Sequence, residues 1–273
     1  VRVGVTGGSG VVGRAVVRRL VGEGHQVSVL ARTQASSADL AGLGATPVDG
    51  DVIDPPGLLP LVDGKDWVFH VAGINEMCSR DPDLMDLVNI QGTRNVMEAC
   101  RFAGVGRMIH TSSAAAIGEA HGTIGSEASR HRGSYLSRYE RSKHLAEQLV
   151  LEGAGDLDVV LVNPSSVQGP GRATGTGKLI LDLLNGTLQF LVETTVSIVD
   201  IDDCAGGHIL AAERGATGQR YILSGSSSST SRLVDLFKQI TGGSLAPRFL
   251  PGWVATAGAP AIELGARITN RRP

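Results

Sequence analysis

Short runs rich in valine and isoleucine alternate, over roughly the first 166 residues, with longer stretches whose apolar positions recur every three or four residues. The strand candidates are VRVGV, QVSVLA, ATPVDG, DWVFHVA, RMIHTSS and DVVLVNPSS. Several are apolar at nearly every position instead of every second one, the pattern of strands covered on both faces. Between them the helical period predicts helices over about Val11–Val21, Pro56–Val62, Pro82–Ala103 and Tyr135–Glu152. Such alternation needs crossover connections and predicts an α/β fold, a Rossmann-type doubly wound parallel sheet.

After Pro164 the pattern loosens into the connections GPGRATGTGK and SGSSSSTS, with helices predicted near Leu179–Leu184, Asp203–Glu213 and Arg232–Ile240. The reading is a main domain over residues 1–163 and a small C-terminal substrate lobe over 164–273, interleaved with the core and lying over the strand C-termini. SSSST looks low in complexity, but SRLVDLFKQI follows at once, so its last Ser or Thr is expected to cap a helix.

Composition narrows the function classes. A 42% hydrophobic content over 273 residues supplies a sizeable core, and a net charge of -2 gives no drive toward nucleic acid or anionic lipid. Cys78, Cys100 and Cys204 are odd in number and far apart, which favours free thiols and a cytoplasmic setting over a disulfide framework. The sequence opens on a strand-like run, without an initiator Met and without the pattern of a signal peptide. Pro251, Gly252, Gly258, Pro260 and Glu263 break the longest weakly charged stretch, so no integral membrane span is expected.

Directly after the first strand, TGGSGVVGRAVVRRL places Gly7, Gly10 and Gly13 between a strand and an amphipathic helix. The first glycine permits the tight turn, the second lets backbone amides approach a pyrophosphate, and the third lets helix pack on strand. At the end of the second strand, where NAD-binding chains carry an acid for the ribose hydroxyls, this sequence has Arg32, and Asp39 is the first acid downstream. A cation there suits the 2′-phosphate of NADP, so NADP is favoured with NAD as the alternative. Asp51 either accepts from the adenine amino group or closes a turn.

GSYLSRYERSKHLAEQLV contains the candidate chemistry: Tyr139 and Lys143 are spaced to share a helical face, with Tyr135 expected one turn earlier. An ammonium beside a phenol lowers a pKa that starts near about 10 toward the range of a working acid or base. Upstream, RMIHTSS ends in Ser112 and Ser113, where a hydroxyl at a strand's C-terminal edge can hold a substrate carbonyl.

The glycine loop, the serine and Tyr-x-x-x-Lys, in this order, resemble the extended short-chain dehydrogenase/reductase family of NAD-dependent epimerases and dehydratases. RDPDLMDLVNIQGTRN, RYERSKHLAEQ, LILDLLNG and RYILSG are most similar to its dihydroflavonol-reductase-like branch, especially the hopanoid-associated sugar epimerase-like proteins. The resemblance implies a catalytic set of Ser113, Tyr139, Lys143 and Asn89, the last supporting the site's hydrogen bonds. It implies a dinucleotide held by Thr6, Gly7, Ser9, Gly10, Val11, Val12 and Gly13 at the phosphates and by Arg32, Asp51 and Val52 at the adenosine. Val71, Ala72 and Gly73 would line it, with Tyr139, Lys143, Asn163, Pro164, Ser165 and Ser166 toward the nicotinamide. A homodimer through Pro82–Ala103 and Tyr135–Glu152 would follow by the same resemblance.

Two departures matter. NGTLQFLVETTVSIVDIDD lacks the cation with which nucleotide-sugar members hold a diphosphate, so Arg172 or Lys178 would have to substitute. Family members also continue beyond ITNRRP, which implies further substrate-lobe residues. The leading expectation is an NAD(P)-dependent oxidoreductase that interconverts a carbonyl and a secondary alcohol on a small organic substrate. The alternatives are a nucleotide-sugar epimerase or dehydratase with bound NAD, and a dinucleotide-sensing protein without chemistry. His70 reads as a core histidine, and Cys204 with His208 as helix packing instead of a metal site. Asn185 in NGT is a glycosylation site only in a secreted protein, and no G-x-S-x-G elbow of a serine hydrolase occurs.

Overall fold

The computed structural model describes residues 1–76, 81–171, 175–243 and 247–251. Its elements run β1 (Arg2–Thr6), α1 (Val11–Gly22), β2 (Gln26–Ala31), α2 (Gln34–Gly42), β3 (Thr46–Asp49), α3 (Pro55–Val62), β4 (Trp67–His70), α4 (Pro82–Asp86), α5 (Gly92–Ala103), β5 (Arg107–Thr111) and α6 (Arg138–Gly153). They continue with β6 (Val159–Pro164), β7 (Ser166–Gln168), α7 (Thr176–Leu184), β8 (Phe190–Val192), β9 (Thr195–Asp200), α8 (Ile201–Arg214), β10 (Arg220–Leu223), β11 (Ser226–Ser229), α9 (Thr230–Thr241) and β12 (Arg248–Leu250). The chain divides into one unit of Val1–Val167 with Val199–Leu223, and a second of Gln168–Ile198 with residues from Ser224 onward.

The first unit holds a seven-stranded sheet in the order β10-β6-β5-β4-β1-β2-β3, parallel at every pairing. From β1 the chain steps out to β2 and β3, then crosses back to β4, β5 and β6. The direction of winding therefore reverses between β1 and β4, and the carboxyl ends of these strands bound a crevice there. This is the doubly wound Rossmann-type α/β fold that the hydrophobic runs predicted.

Continuous apolar strands fill two cores, one on each face of the sheet. Val3, Val5, Val29, Phe69, Ile109 and Val160 pack with α1 and α8. The alternate residues Val68, Met108, Val159 and Leu161 meet Leu58 and Leu61 of α3, Val96 and Met97 of α5, and Val150 of α6. In the second unit β11 runs antiparallel to β9, and Ser229 caps α9 by accepting from the Arg232 amide at 3.2 Å, so the serine run is both strand and cap.

Three local features depart from the sequence reading. Helix α2 was not expected because QASSADLAG buries only Leu40 and carries no apolar stripe, and its start is fixed instead by a reciprocal cap between Thr33 and Ser36. The Pro82–Ala103 helix is interrupted by a π turn at Leu87–Gln91. The helix predicted over Tyr135–Glu152 begins only at Arg138: the Ser137 side chain accepts from the Glu140 amide at 3.0 Å and fixes the N-terminus there. Tyr135 thus lies outside the helix, and the expected one-turn spacing from Tyr139 does not hold. Among the described residues no helix is long and apolar enough to cross a membrane.

Leu161 is fully buried in β6, between β5 and β10. Leu161→Ala should lower the unfolding free energy by about 2–5 kcal/mol, seen as a reduced urea midpoint at an unchanged slope.

Candidate active site

The glycine loop joins β1 to α1 at the crevice. Gly7 has φ of +74°, and a Cβ there would stand 2.5 Å from the Ala72 amide nitrogen. One on Gly13 would lie 2.1 Å from the Gly7 carbonyl oxygen. Both positions therefore exclude any side chain, which keeps the chain after β4 and the start of α1 pressed against the loop. Gly10 supplies the N-cap of α1 without a side chain, so the first-turn amides of the helix, those of Val11 and Val12 among them, face outward for an anion.

At the end of β2, Arg32, Thr33, Ser37, Asp49 and Asp51 line an open cleft of about 770 Å³. The Arg32 side chain is 70% exposed, with Nη1 3.8 Å from Asp51 Oδ2. The other oxygen of Asp51 accepts from the Ile53 amide at 3.3 Å, closing a turn. Asp39 is engaged by Arg14 and is not presented to the cleft's Arg32. The Val52 side chain is buried under Gly92, while its carbonyl accepts from Asn95 Nδ2 at 2.9 Å.

The catalytic candidates come from three elements that meet at the carboxyl ends of β4 and β5. The π turn carries Asn89, which is almost fully buried. Its Oδ1 accepts from the Ile74 amide at 2.7 Å, and its Nδ2 donates to the Ile74 carbonyl at 3.0 Å and to Ser142 Oγ at 2.9 Å. Ser142 in turn donates to the Tyr139 carbonyl at 2.8 Å, so the amide clamps the loop after β4 to the first turn of α6. Lys143 is 5% exposed and its ammonium donates to the Thr111 carbonyl, at the end of β5, at 2.7 Å. Burial lowers its pKa to about 8, against the opposing pull of Glu147. Tyr139 is 7% exposed, one turn before Lys143.

Ser112 and Ser113 have different partners. Ser112 is buried and donates to Glu147 Oε2 at 2.6 Å. Ser113 is half-buried and its Oγ accepts from the Ala115 amide at 3.2 Å, which leaves its own proton for donation to a ligand. His144 Nδ1 donates to the Ala116 carbonyl at 3.1 Å and holds α6 against the turn that follows Ser113.

Sequence reasoning missed the group beneath these residues. Glu147 is fully buried and pairs through Oε1 with Arg220 Nη1 of β10 at 2.8 Å. Asn163 Nδ2 donates to Glu147 Oε2 at 2.8 Å and to the Ser113 carbonyl at 2.9 Å. The signal was a charged residue one turn past Lys143, a spacing that in an amphipathic helix usually marks a solvated face.

His70 and His208 are structural. Thr93 gives its proton to the Asn89 carbonyl at 2.6 Å, so His70 Nε2 must donate to Thr93 at 2.9 Å and His70 Nδ1 must accept from Thr6 at 2.8 Å. Thr6 Oγ1 is then left to accept from the Ala72 amide at 3.3 Å. Burial pushes the His70 pKa down to about 3, which keeps it neutral. His208 likewise donates from Nδ1 to the Cys204 carbonyl at 2.7 Å and accepts from Thr111 at 3.0 Å through Nε2. Cys100 and Cys204 are buried free thiols, whereas Cys78 lies outside the described residues. The pyrophosphate cradle fits a dinucleotide, and so do the buried Asn163 Oδ1 and Ser165 Oγ near the end of β6, neither of which has a protein partner.

The model of the 3-beta hydroxysteroid dehydrogenase/isomerase family matches residues 4–222. Over 264 residues the chain is 35% identical to a dihydroflavonol 4-reductase-like protein of Synechocystis sp., spanning 92% of this chain and 75% of that one. The crystal structure of gox2253 superposes with a TM-score of 0.87 at 37% identity, over 100% of this chain and 84% of that one. A dTDP-glucose 4,6-dehydratase from Streptomyces venezuelae, solved with NAD bound, shares the fold with a TM-score of 0.78 at 24% identity, over 92% and 84% of the respective chains.

An ammonium whose pKa falls from 10.5 to about 8 on folding holds its proton less tightly in the native chain than in the unfolded one. Between those pH values the unfolded chain binds more protons, so this group makes stability rise with pH through that window and leaves it flat below. In urea unfolding the wild type should therefore gain on Lys143→Met as pH is raised above about 8. Parallel curves would contradict the placement of the ammonium.

Proposed function

The chain belongs to the 3-beta hydroxysteroid dehydrogenase/isomerase family, within the extended short-chain dehydrogenases/reductases, and we propose that it interconverts a ketone and a secondary alcohol with NADP as its preferred cofactor. As a member of this family it is an oxidoreductase with an NAD(P)-binding fold. The observation that carries the proposal is the Lys143 ammonium, buried one turn past Tyr139 and tied to the last residue of β5, two residues before Ser113.

Each residue then has a definite task. Ser113, whose proton is not spent on the protein, donates to the substrate oxygen. Tyr139 gives that oxygen a proton in reduction, or removes one in oxidation, and the Lys143 charge stabilises the phenolate that results. Gly7, Gly10, Gly13 and the start of α1 bind the pyrophosphate, and the unpartnered Asn163 Oδ1 and Ser165 Oγ are polar atoms that the cofactor would satisfy. When bound, the nicotinamide supplies or accepts the hydride. Asn89 keeps Gly73 and the loop after β4 close to the ammonium: a Cβ on Gly73 would be 3.2 Å from Asn89 Oδ1 and 3.7 Å from Lys143 Nζ.

Arg32 supports NADP. It stands exposed on the lip of its cleft with the Thr33 and Ser37 hydroxyls close by, where a 2′-phosphate would meet a guanidinium whose partner in the cleft is Asp51 at 3.8 Å. The substrate is taken to be unphosphorylated, because residues 185–203 carry no Lys or Arg. Lys178 is paired with Asp182 at 2.6 Å, and Arg172 lies outside the described residues.

A screen of ketones with NADPH, read by absorbance, identifies a substrate. With it, Tyr139→Phe should lower kcat by about 10²–10⁴-fold with little change in cofactor affinity. Retention of wild-type turnover refutes the assignment. Arg32→Ser should raise the KM for NADPH about tenfold or more while leaving that for NADH nearly unchanged. Equal effects on the two would remove the argument for NADP.

A further inference from the structure

The carboxylate of Glu147 receives more hydrogen bonds than any task assigned so far requires. One oxygen takes Ser112 at 2.6 Å and Asn163 at 2.8 Å, and the other takes the Arg220 guanidinium at 2.8 Å. Arg220 also donates to the Glu127 carbonyl at 2.9 Å and the Ser129 carbonyl at 2.7 Å, so all of its nitrogens are engaged. Glu127 closes the ring by accepting from the Ile222 amide at 3.0 Å. A buried ion pair of this kind is a poor source of stability, because both charges must first be stripped of water. Its position offers another reason for it.

Resting on the reading of Tyr139 and Lys143 given above, we propose that Glu147 is a positioning residue for the reaction, fixing the strand end that presents Ser113 and holding the charge on Lys143. Through Ser112 it holds the residue before Ser113. Asn163 joins the same carboxylate to the Ser113 carbonyl. Toward Lys143 it is the anion of the neighbourhood. The titratable groups that act on the ammonium are Glu147 from α6 and His70 and His110 from β4 and β5, both histidines held neutral by burial, and Asn89 Oδ1 stands with it beside Gly73. Arg220 faces Glu147 from β10, with Nη1 2.8 Å from Oε1.

The test compares Glu147→Gln and Glu147→Asp with the wild type in carbonyl reduction across pH. The rate falls on the basic side where the Tyr139–Lys143 pair loses a proton. Glu147→Gln removes the anion and leaves the Arg220 cation, so this limb should move to lower pH by about one unit or more, with kcat reduced about tenfold or more. Glu147→Asp keeps the charge but draws it back by one methylene, so kcat should fall while the limb stays in place. A purely structural carboxylate would lower the melting temperature of Glu147→Gln and leave the pH profile of the folded protein unmoved, and that result overturns the proposal. Should Glu147→Gln not fold, the decision passes to Glu147→Asp, where unchanged kcat overturns the proposal and reduced kcat with an unmoved limb supports it. The failure of the parent reading looks different: the wild type itself then turns over no carbonyl, or Tyr139→Phe remains active.

Discussion

An ammonium almost sealed from water is the constraint around which the first unit is arranged. Burying such a charge without compensation would neutralise it, and Lys143 has already lost part of the affinity for its proton. What keeps it charged near neutral pH is the Thr111 carbonyl at 2.7 Å and the anion one turn along the helix. The first belongs to the parallel sheet, being the last carbonyl of β5, and the second to α6, where Glu147 follows Lys143 by one turn. The same edge that opens the cofactor crevice also supplies the acceptor that makes a buried lysine tolerable.

Neutrality of the surrounding groups matters as much as the anion. His70 and His110 lie with ring centroids 5.4 Å apart, tilted by 31°, and a proton on either would repel the ammonium. His70 cannot easily take one, since each of its nitrogens has a fixed role in a chain that runs from Ala72 through Thr6 and Thr93 to Asn89. That chain ends on the backbone of the π turn whose side chain clamps Ser142 and the loop at Ile74. Asn89 sits in this π turn and reaches both neighbours, and π turns recur at functional sites.

The sheet was readable because burial on both faces leaves a simple mark, continuous apolar runs, and the glycine loop because a side chain at Gly7 or Gly13 would strike backbone at 2.5 Å or less. Residues whose placement depends on non-local partners were not readable in the same way. Glu147 and Arg220 are 73 residues apart and meet only because β10 adds to the sheet beside β6. Helix α2 escaped notice since capping, not an apolar stripe, fixes its start, and Ser137 stopped α6 short of Tyr135 through the same chemistry. Periodicity sees faces, whereas caps and buried pairs are decided by single atoms.

The two adjacent serines show how far single atoms decide function. As letters they are interchangeable, and either could be placed at the strand's end. In the fold Ser112 spends its proton on a buried carboxylate, while Ser113 accepts from a backbone amide and keeps its proton. A hydroxyl that donates to an anion cannot also polarise a carbonyl, so the presence of Glu147 assigns the roles. In the proposed reaction the acid one turn from Lys143 is therefore also the group that occupies Ser112 and leaves Ser113 as the serine with a proton to donate.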